Sequence, residues 1–375
     1  MRVAENLTAP EHDSAETLTI IGATTRAAAE SARRAFFSPI AADLFADLDL
    51  CEICPATRIE VYPHGLQRVI QAEQSGGWIY TGALENYPDL IERWSAIRPL
   101  YGNPADVLRR IRNPQLVSDS LHRAGLPCPA IASSDTFPPQ DCSWIRKPLR
   151  SAGGIRVERW TPEAATKRWE FPSYFQQFIS GTSISATFVA NRETATLLGV
   201  TRQLLADNSF RYVGSIGPLS LSESNRRQFE LVGQILAAEF QLTGLFGVDA
   251  IMNDAGVWPV EINPRYTASV EVLEKSLGIS AVEMHITACR DGSLPKQIPT
   301  AAPSIIGKLV HFAERDFTVT QDLRNSLPDI ADVPQIGTRI SKGDPVVTLF
   351  SRGDDESEVE QALRTASRSF WEASR

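Results

Sequence analysis

Residues 246–265 read Phe-Gly-Val-Asp-Ala-Ile-Met-Asn-Asp-Ala-Gly-Val-Trp-Pro-Val-Glu-Ile-Asn-Pro-Arg, and they constrain the chain more than any other stretch. β-prone residues flank a turn, Asp254-Ala255-Gly256, that suits a three-residue hairpin loop with Gly256 in the left-handed position. That register pairs Asn253 with Val257, sets Asp249 opposite Glu261 and leaves Gly247 facing Asn263. Side chains alternate along a strand, so Val260 and Ile262 point one way and Glu261 and Asn263 the other. An acidic strand face is ordinarily just solvated. Here two carboxylates and an amide oxygen share one patch, which also makes a seat for Mg²⁺, a cation that takes oxygen ligands and is commonly shared with substrate phosphates. Pro264 fixes the chain after the strand, and Arg265 beyond it could hold developing negative charge.

At 375 residues there is room for two or three domains. A net charge of −8 argues against nucleic acid as a partner, because phosphate binding needs clustered Lys and Arg. No apolar run is long enough for a membrane helix, so no membrane partner is expected. Residues 1–16 are polar, without a signal-peptide core, and are expected to be a disordered tail on a cytoplasmic protein. Five cysteines suggest no disulfide framework, and the lone Cys51-Glu-Ile-Cys54 lacks the second pair of a zinc ribbon. The histidines, at 12, 64, 122, 285 and 311, show no ligand spacing.

Residues 17–105 open as strand (Leu18–Ile21), glycine turn, alanine-rich helix (Ala27–Phe37) and strand (Ile40–Asp43), the start of a doubly wound α/β unit. The turn is not GxGxxG, so a dinucleotide fingerprint is missing. Residues 106–300 form the next unit, divided near 180. Within it Trp144–Lys147 is a strand, followed by the small loop Arg150-Ser-Ala-Gly153-Gly154. Lys-Pro before a turn is ordinarily a surface corner. Yet a lysine facing bare glycine backbone can also grip a phosphate. Tyr174–Ile179 and Ser183–Val189 are strands, Phe210–Gly217 is a candidate flap, and Arg226–Phe240 is an amphipathic helix. Residues 291–303 look like a linker, and residues 301–375 form a small β-rich unit ending in a helix, Ser357–Trp371.

Glu261-Ile-Asn263-Pro-Arg265, the acid one strand earlier, the lysine strand, the glycine loop and the Gln-Gln-Phe-Ile strand come in an order that resembles the ATP-grasp superfamily. The best resemblance is to carboligases related to biotin carboxylase, near amide ligases such as tyramine–glutamate ligase. It implies an α/β and α+β architecture: a Rossmann-like pre-ATP-grasp domain, an ATP-grasp domain closing on Mg-ATP, and a C-terminal closing domain. It implies that Lys147 contacts ATP phosphates and that Gly153 and Gly154 cover them. Gln176, Gln177, Phe178 and Ile179 would meet adenine. Asp249, Glu261 and Asn263 would carry magnesium or manganese, and Arg265 would face the reacting group. Two departures stand out. Asn113 and Gln115 occupy a zone where members often carry a lysine, and Gln176 replaces a frequent glutamate.

The resemblance further implies ATP-dependent ligation of a small carboxylate to an amine through an acyl phosphate, releasing ADP and phosphate; the chain has no Met-Lys-Met attachment site, so covalent biotin is not expected. Alternative readings are biotin-carboxylase-like carboxylation and a non-catalytic nucleotide-binding module. Family likeness implies a homodimer.

Overall fold

The structure, a computed structural model, describes residues 15–72, 75–133, 137–299, 304–325 and 329–373. Most of the expected tail, residues 1–14, lies outside them, as do residues 300–303 of the expected linker.

Leu18, Ile20 and Ile21 are wholly buried because their strand is covered on both faces. This is β1 (Thr17–Ile21), flanked in a parallel sheet by β2 (Ser38–Asp43) and β4 (Gly77–Tyr80), with β3 (Ala56–Arg58) outside β2. Gly22, in the turn after β1, has no room for a side chain: a Cβ would lie 2.0 Å from Thr81 Oγ1. The helix Arg26–Arg34 buries Ala28, Ala29 and Ala32 on this sheet. The same core takes in Val282 and Ile286 from the helix Ala281–Asp291, so the front unit is packed onto the rest of the chain.

A second, antiparallel sheet has the order β5 (Ile131–Ala132), β8 (Ser173–Gln177), β6 (Trp144–Pro148), β7 (Glu158–Arg159). Its core is aromatic, with Trp160 and Phe175 ring centroids 4.7 Å apart.

The third sheet is the largest. Its order is β13 (Gly256–Asn263), β12 (Thr243–Asn253), β9 (Thr182–Asn191), β10 (Ala195–Leu205), β11 (Tyr212–Gly217), β14 (Ile305–Phe312), β18 (Pro345–Gly353) and β16 (Ile330–Ala331). Phe188 of β9 stacks on Phe246 of β12, and the helix Glu223–Phe240 lays Phe229, Val232 and Leu236 into the same core. A separate ribbon pairs β15 (Phe317–Thr318) with β17 (Arg339–Ile340).

Two expectations are redrawn here. The segment Phe210–Gly217 is not a flap: Tyr212–Gly217 is a strand hydrogen-bonded on both edges, to β10 and to β14. The C-terminal strands β14, β18 and β16 continue the large sheet across residue 301, because the free edge of β11 pairs with β14. Among the described residues no helix is long and apolar enough to cross a membrane.

Candidate active site

Asp249 faces Glu261 and Gly247 faces Asn263 across β12 and β13, but the route differs from the one the sequence suggests. Asn253 pairs with Gly256, so the hairpin loop is two residues, Asp254-Ala255, and not three. Asn253 Oδ1 closes it by accepting from Ala255 N at 3.0 Å and Trp258 Nε1 at 3.3 Å. Continued unbroken, that register would set Asp249 against Val260. Instead Ala250 pairs with Pro259 and Asp249 with Glu261, leaving Val260 as the extra residue of a bulge. Pro259 has no N–H to give a ladder, which favours a bulge at this point. The Val260 carbonyl accepts from Lys147 Nζ at 3.0 Å and Gln176 Nε2 at 3.2 Å. One irregularity thus aligns the acids and anchors the lysine from the second sheet.

All the residues singled out from the sequence line one cleft of about 620 Å³: Lys147, Gly153, Gly154, Gln176, Gln177, Phe178, Ile179, Asp249, Glu261, Asn263 and Arg265. Its size suits a cofactor-sized ligand. The acid pair is unequally compensated. Glu261 Oε1 accepts from Arg112 Nη1 at 2.9 Å, and Lys147 Nζ lies 3.8 Å from Oε2. Burial pushes Glu261 up, but Lys147 and Arg112 outweigh it and hold it below the usual glutamate range. Burial pulls Lys147 down, but Tyr174 and Glu261 keep it above its ordinary value. Asp249 has neutral partners: it accepts from Gln203 Nε2 and from Asn263 Nδ2, each at 3.0 Å. Burial, and then the Glu261 charge alongside, push it up to about 6. A paired carboxylate short of positive charge, beside an amide oxygen, is a hard-oxygen donor set that fits a divalent cation.

Gly153 and Gly154 take φ of 62° and 72°, and a Cβ on Gly154 would sit 1.8 Å from the Phe210 carbonyl oxygen. Tyr212 N donates to the Gly153 carbonyl at 2.9 Å, so the loop rests on the β10–β11 turn. The N–H groups of Gln177 and Phe178 donate to the Ala130 and Ser143 carbonyls, both at 2.8 Å. Gln176 turns inward: its Oε1 accepts from Lys147 Nζ at 3.4 Å. Arg159 lies over the Phe178 ring, 3.0 Å from its centroid.

Sequence reading missed Arg112, Asn86, Glu85 and Gln203. Arg112 ends a helix just before the Asn113-Pro114 break, so a cation existed beside the zone without the family's lysine. Glu85 and Asn86 reach the site from the front unit, across a separation in sequence that no spacing reveals. Glu85 Oε1 lies 2.8 Å from Arg265 Nε, and Arg265 Nη2 donates to Asn263 Oδ1 at 3.3 Å.

Residues 113–269 match the family model described as ATP-grasp domain. An uncharacterized protein of Methanocaldococcus jannaschii is 26% identical over 217 residues, covering 57% of this chain and 52% of that protein. The carbamoyl phosphate synthase large chain of Clostridium acetobutylicum is 21% identical over 138 residues, 35% of this chain and 13% of that one. The chain thus spans about half the length of the first relative and a small part of the second. Among solved structures, L-amino acid ligase from Bacillus licheniformis superposes with a TM-score of 0.69 at 15% identity, covering 94% of this chain and 97% of that one. Biotin carboxylase from Campylobacter jejuni gives 0.72 at 13%, covering 93% and 90%. An ADP complex of N5-carboxyaminoimidazole ribonucleotide synthetase gives 0.70 at 15%, covering 95% and 97%. At such identities the superpositions speak for the fold alone. The acid hairpin, the lysine strand and the glycine loop come together around one cleft, and residues 113–269 match the ATP-grasp domain.

Proposed function

We propose that this protein is an ATP-dependent ligase that activates a small carboxylate as its acyl phosphate and joins it to an amine. The observation that carries this reading is the placement of Lys147 and the Gly153–Gly154 loop across one cleft from Asp249, Glu261 and Asn263, with Arg265 beside them. Lys147, fixed on the Val260 carbonyl, presents its charge to a nucleotide's phosphates as a point cation. Asp249, Glu261 and Asn263 would hold a divalent cation, which would supply charge to neutralise the nucleotide's phosphates.

The substrate carboxylate oxygen attacks the γ-phosphorus, and the bond to the bridging oxygen of ADP breaks. Arg265, held by Glu85, Asn263 and the Tyr266 carbonyl, faces the carboxylate and then its acyl phosphate. The amine nitrogen attacks the acyl carbon, the carbon–oxygen bond to phosphate breaks, and the nitrogen releases its proton to solvent. A neutral amine needs no enzymic carboxylate to attack. That suits a cleft whose lining carboxylates, among the described residues, are Asp249 and Glu261.

ADP release measured over panels of small carboxylates and amines tests this directly. Release that requires both a carboxylate and an amine supports ligation. Release driven by bicarbonate with no amine present would replace it with carboxylation.

A further inference from the structure

Asn86 stands where the front unit, the glycine loop and the acid pair meet. Its Oδ1 accepts from Arg112 Nη2 at 3.1 Å, and its Nδ2 donates to the Ser151 carbonyl at 3.2 Å. Arg112 Nη1 donates in turn to Glu261 Oε1 at 2.9 Å. An unbroken run of hydrogen bonds therefore links Glu261 to the backbone of the loop that carries Gly153 and Gly154. The amide is oriented by its partners: reversed, it would set its NH₂ against a guanidinium and its oxygen against a carbonyl. Asn86 is 9% exposed, so water is a poor replacement for either bond.

We propose that Asn86 and Arg112 are positioning residues that brace the glycine loop against the acid pair, so that the front unit takes part in gripping the nucleotide. The consequence for the nucleotide rests on the reading of the cleft given above. Asn86 lies on the short 3-10 turn Leu84–Asn86 that follows β4, outside residues 113–269. Arg112 serves both ends of the brace, because one guanidinium nitrogen holds Glu261 and the other holds Asn86. A planar fork can do this from a fixed position, whereas a lysine ammonium is a single point.

Hydrogen exchange of the loop amides, residues 151–157, in the nucleotide-free protein tests the brace. Asn86→Asp keeps an acceptor for Arg112 but removes the donor to Ser151, and Asn86→Ala removes both. Both variants should speed exchange in the loop by about fivefold, as expected for one lost hydrogen bond, while exchange in β12 stays unchanged. ADP affinity by calorimetry should fall by a similar factor. In loop exchange Arg112→Gln should add little to Asn86→Ala, since Arg112 reaches the loop through Asn86. Unchanged loop exchange in both Asn86 variants, equal acceleration in β12, or fully additive loop acceleration in the double variant would overturn the proposal. A wild-type protein that binds no ADP would remove the nucleotide reading instead, and loop exchange would still decide whether the brace exists.

Discussion

Arg265 and Glu85 form a buried ion pair, Nε to Oε1 at 2.8 Å, that ties the end of the acid hairpin to the turn behind β4. Neither Glu85 oxygen accepts a well-aligned hydrogen bond, so the pairing is chiefly Coulombic. Arg265→Ala should cost about 3 kcal/mol or more of transition-state stabilisation, the scale seen when a donor to developing negative charge is removed. Steady-state ADP release gives the comparison; an unchanged turnover number would take Arg265 out of the reaction. Glu85→Ala should lower stability by roughly 3 to 5 kcal/mol in urea unfolding, because it strands a buried guanidinium.

Glu261→Gln should abolish ADP release while leaving the far-UV circular dichroism spectrum unchanged. The amide oxygen can still accept from Arg112, but the charge that a cation and Lys147 require is gone. Normal turnover in this variant would show that the acid pair is not the cation seat.

Gly154→Ala should weaken ADP binding by about tenfold or more with little change in unfolding midpoint. Two costs coincide there: the residue has φ of 72°, and a Cβ would meet the Phe210 carbonyl at 1.8 Å, so the loop must lift from the β10–β11 turn. Calorimetry with ADP reads the loss, and wild-type affinity would mean that the loop does not cover the nucleotide.

How much of this was legible in the sequence depends on distance along the chain. The strand-turn-helix opening at Leu18–Phe37 and the helix ending at Phe240 follow from local periodicity, and the structure has them within a few residues. The opposition of Asp249 and Glu261 was anticipated with the wrong register. A two-residue loop and a bulge at Val260 shift the pairing in ways that cancel at Asp249, and alternation alone cannot see a bulge. Phe210–Gly217 looked mobile from its glycines, yet Gly214 and Gly217 are close-approach positions in a sheet: a Cβ on Gly214 would fall 2.1 Å from the Lys308 carbonyl oxygen. Arg112, Asn86 and Glu85 stayed hidden because their partners are far away in sequence, 149 residues for Arg112 and Glu261.

His285 joins three segments and sets an acid limit on stability. Its Nδ1 accepts from Leu245 N at 2.7 Å, which leaves the ring proton on Nε2, donated to the Tyr101 carbonyl at 3.0 Å. Burial lowers its pKa to about 4, with the Tyr101 bond only partly offsetting this. Gly244, at φ of 71°, packs against the ring so closely that a Cβ would lie 2.3 Å from Nδ1, and that nitrogen already faces the Leu245 N–H, so a proton on it would cost this bond. Above about pH 6.5 the ring is neutral in both the folded and unfolded chain, and the full stability is present. As pH falls from about 6.5 towards 4 the unfolded chain binds a proton that the folded one refuses, and stability drops by on the order of 1 kcal/mol per pH unit. Urea unfolding of wild type and His285→Gln at pH 7, 6 and 5 isolates this contribution, since the other titrating groups are common to both. Wild type should lose stability faster on acidification although the variant starts lower, because the variant gives up the fitted ring. Equal slopes for the two proteins would show that His285 titrates normally in the folded chain.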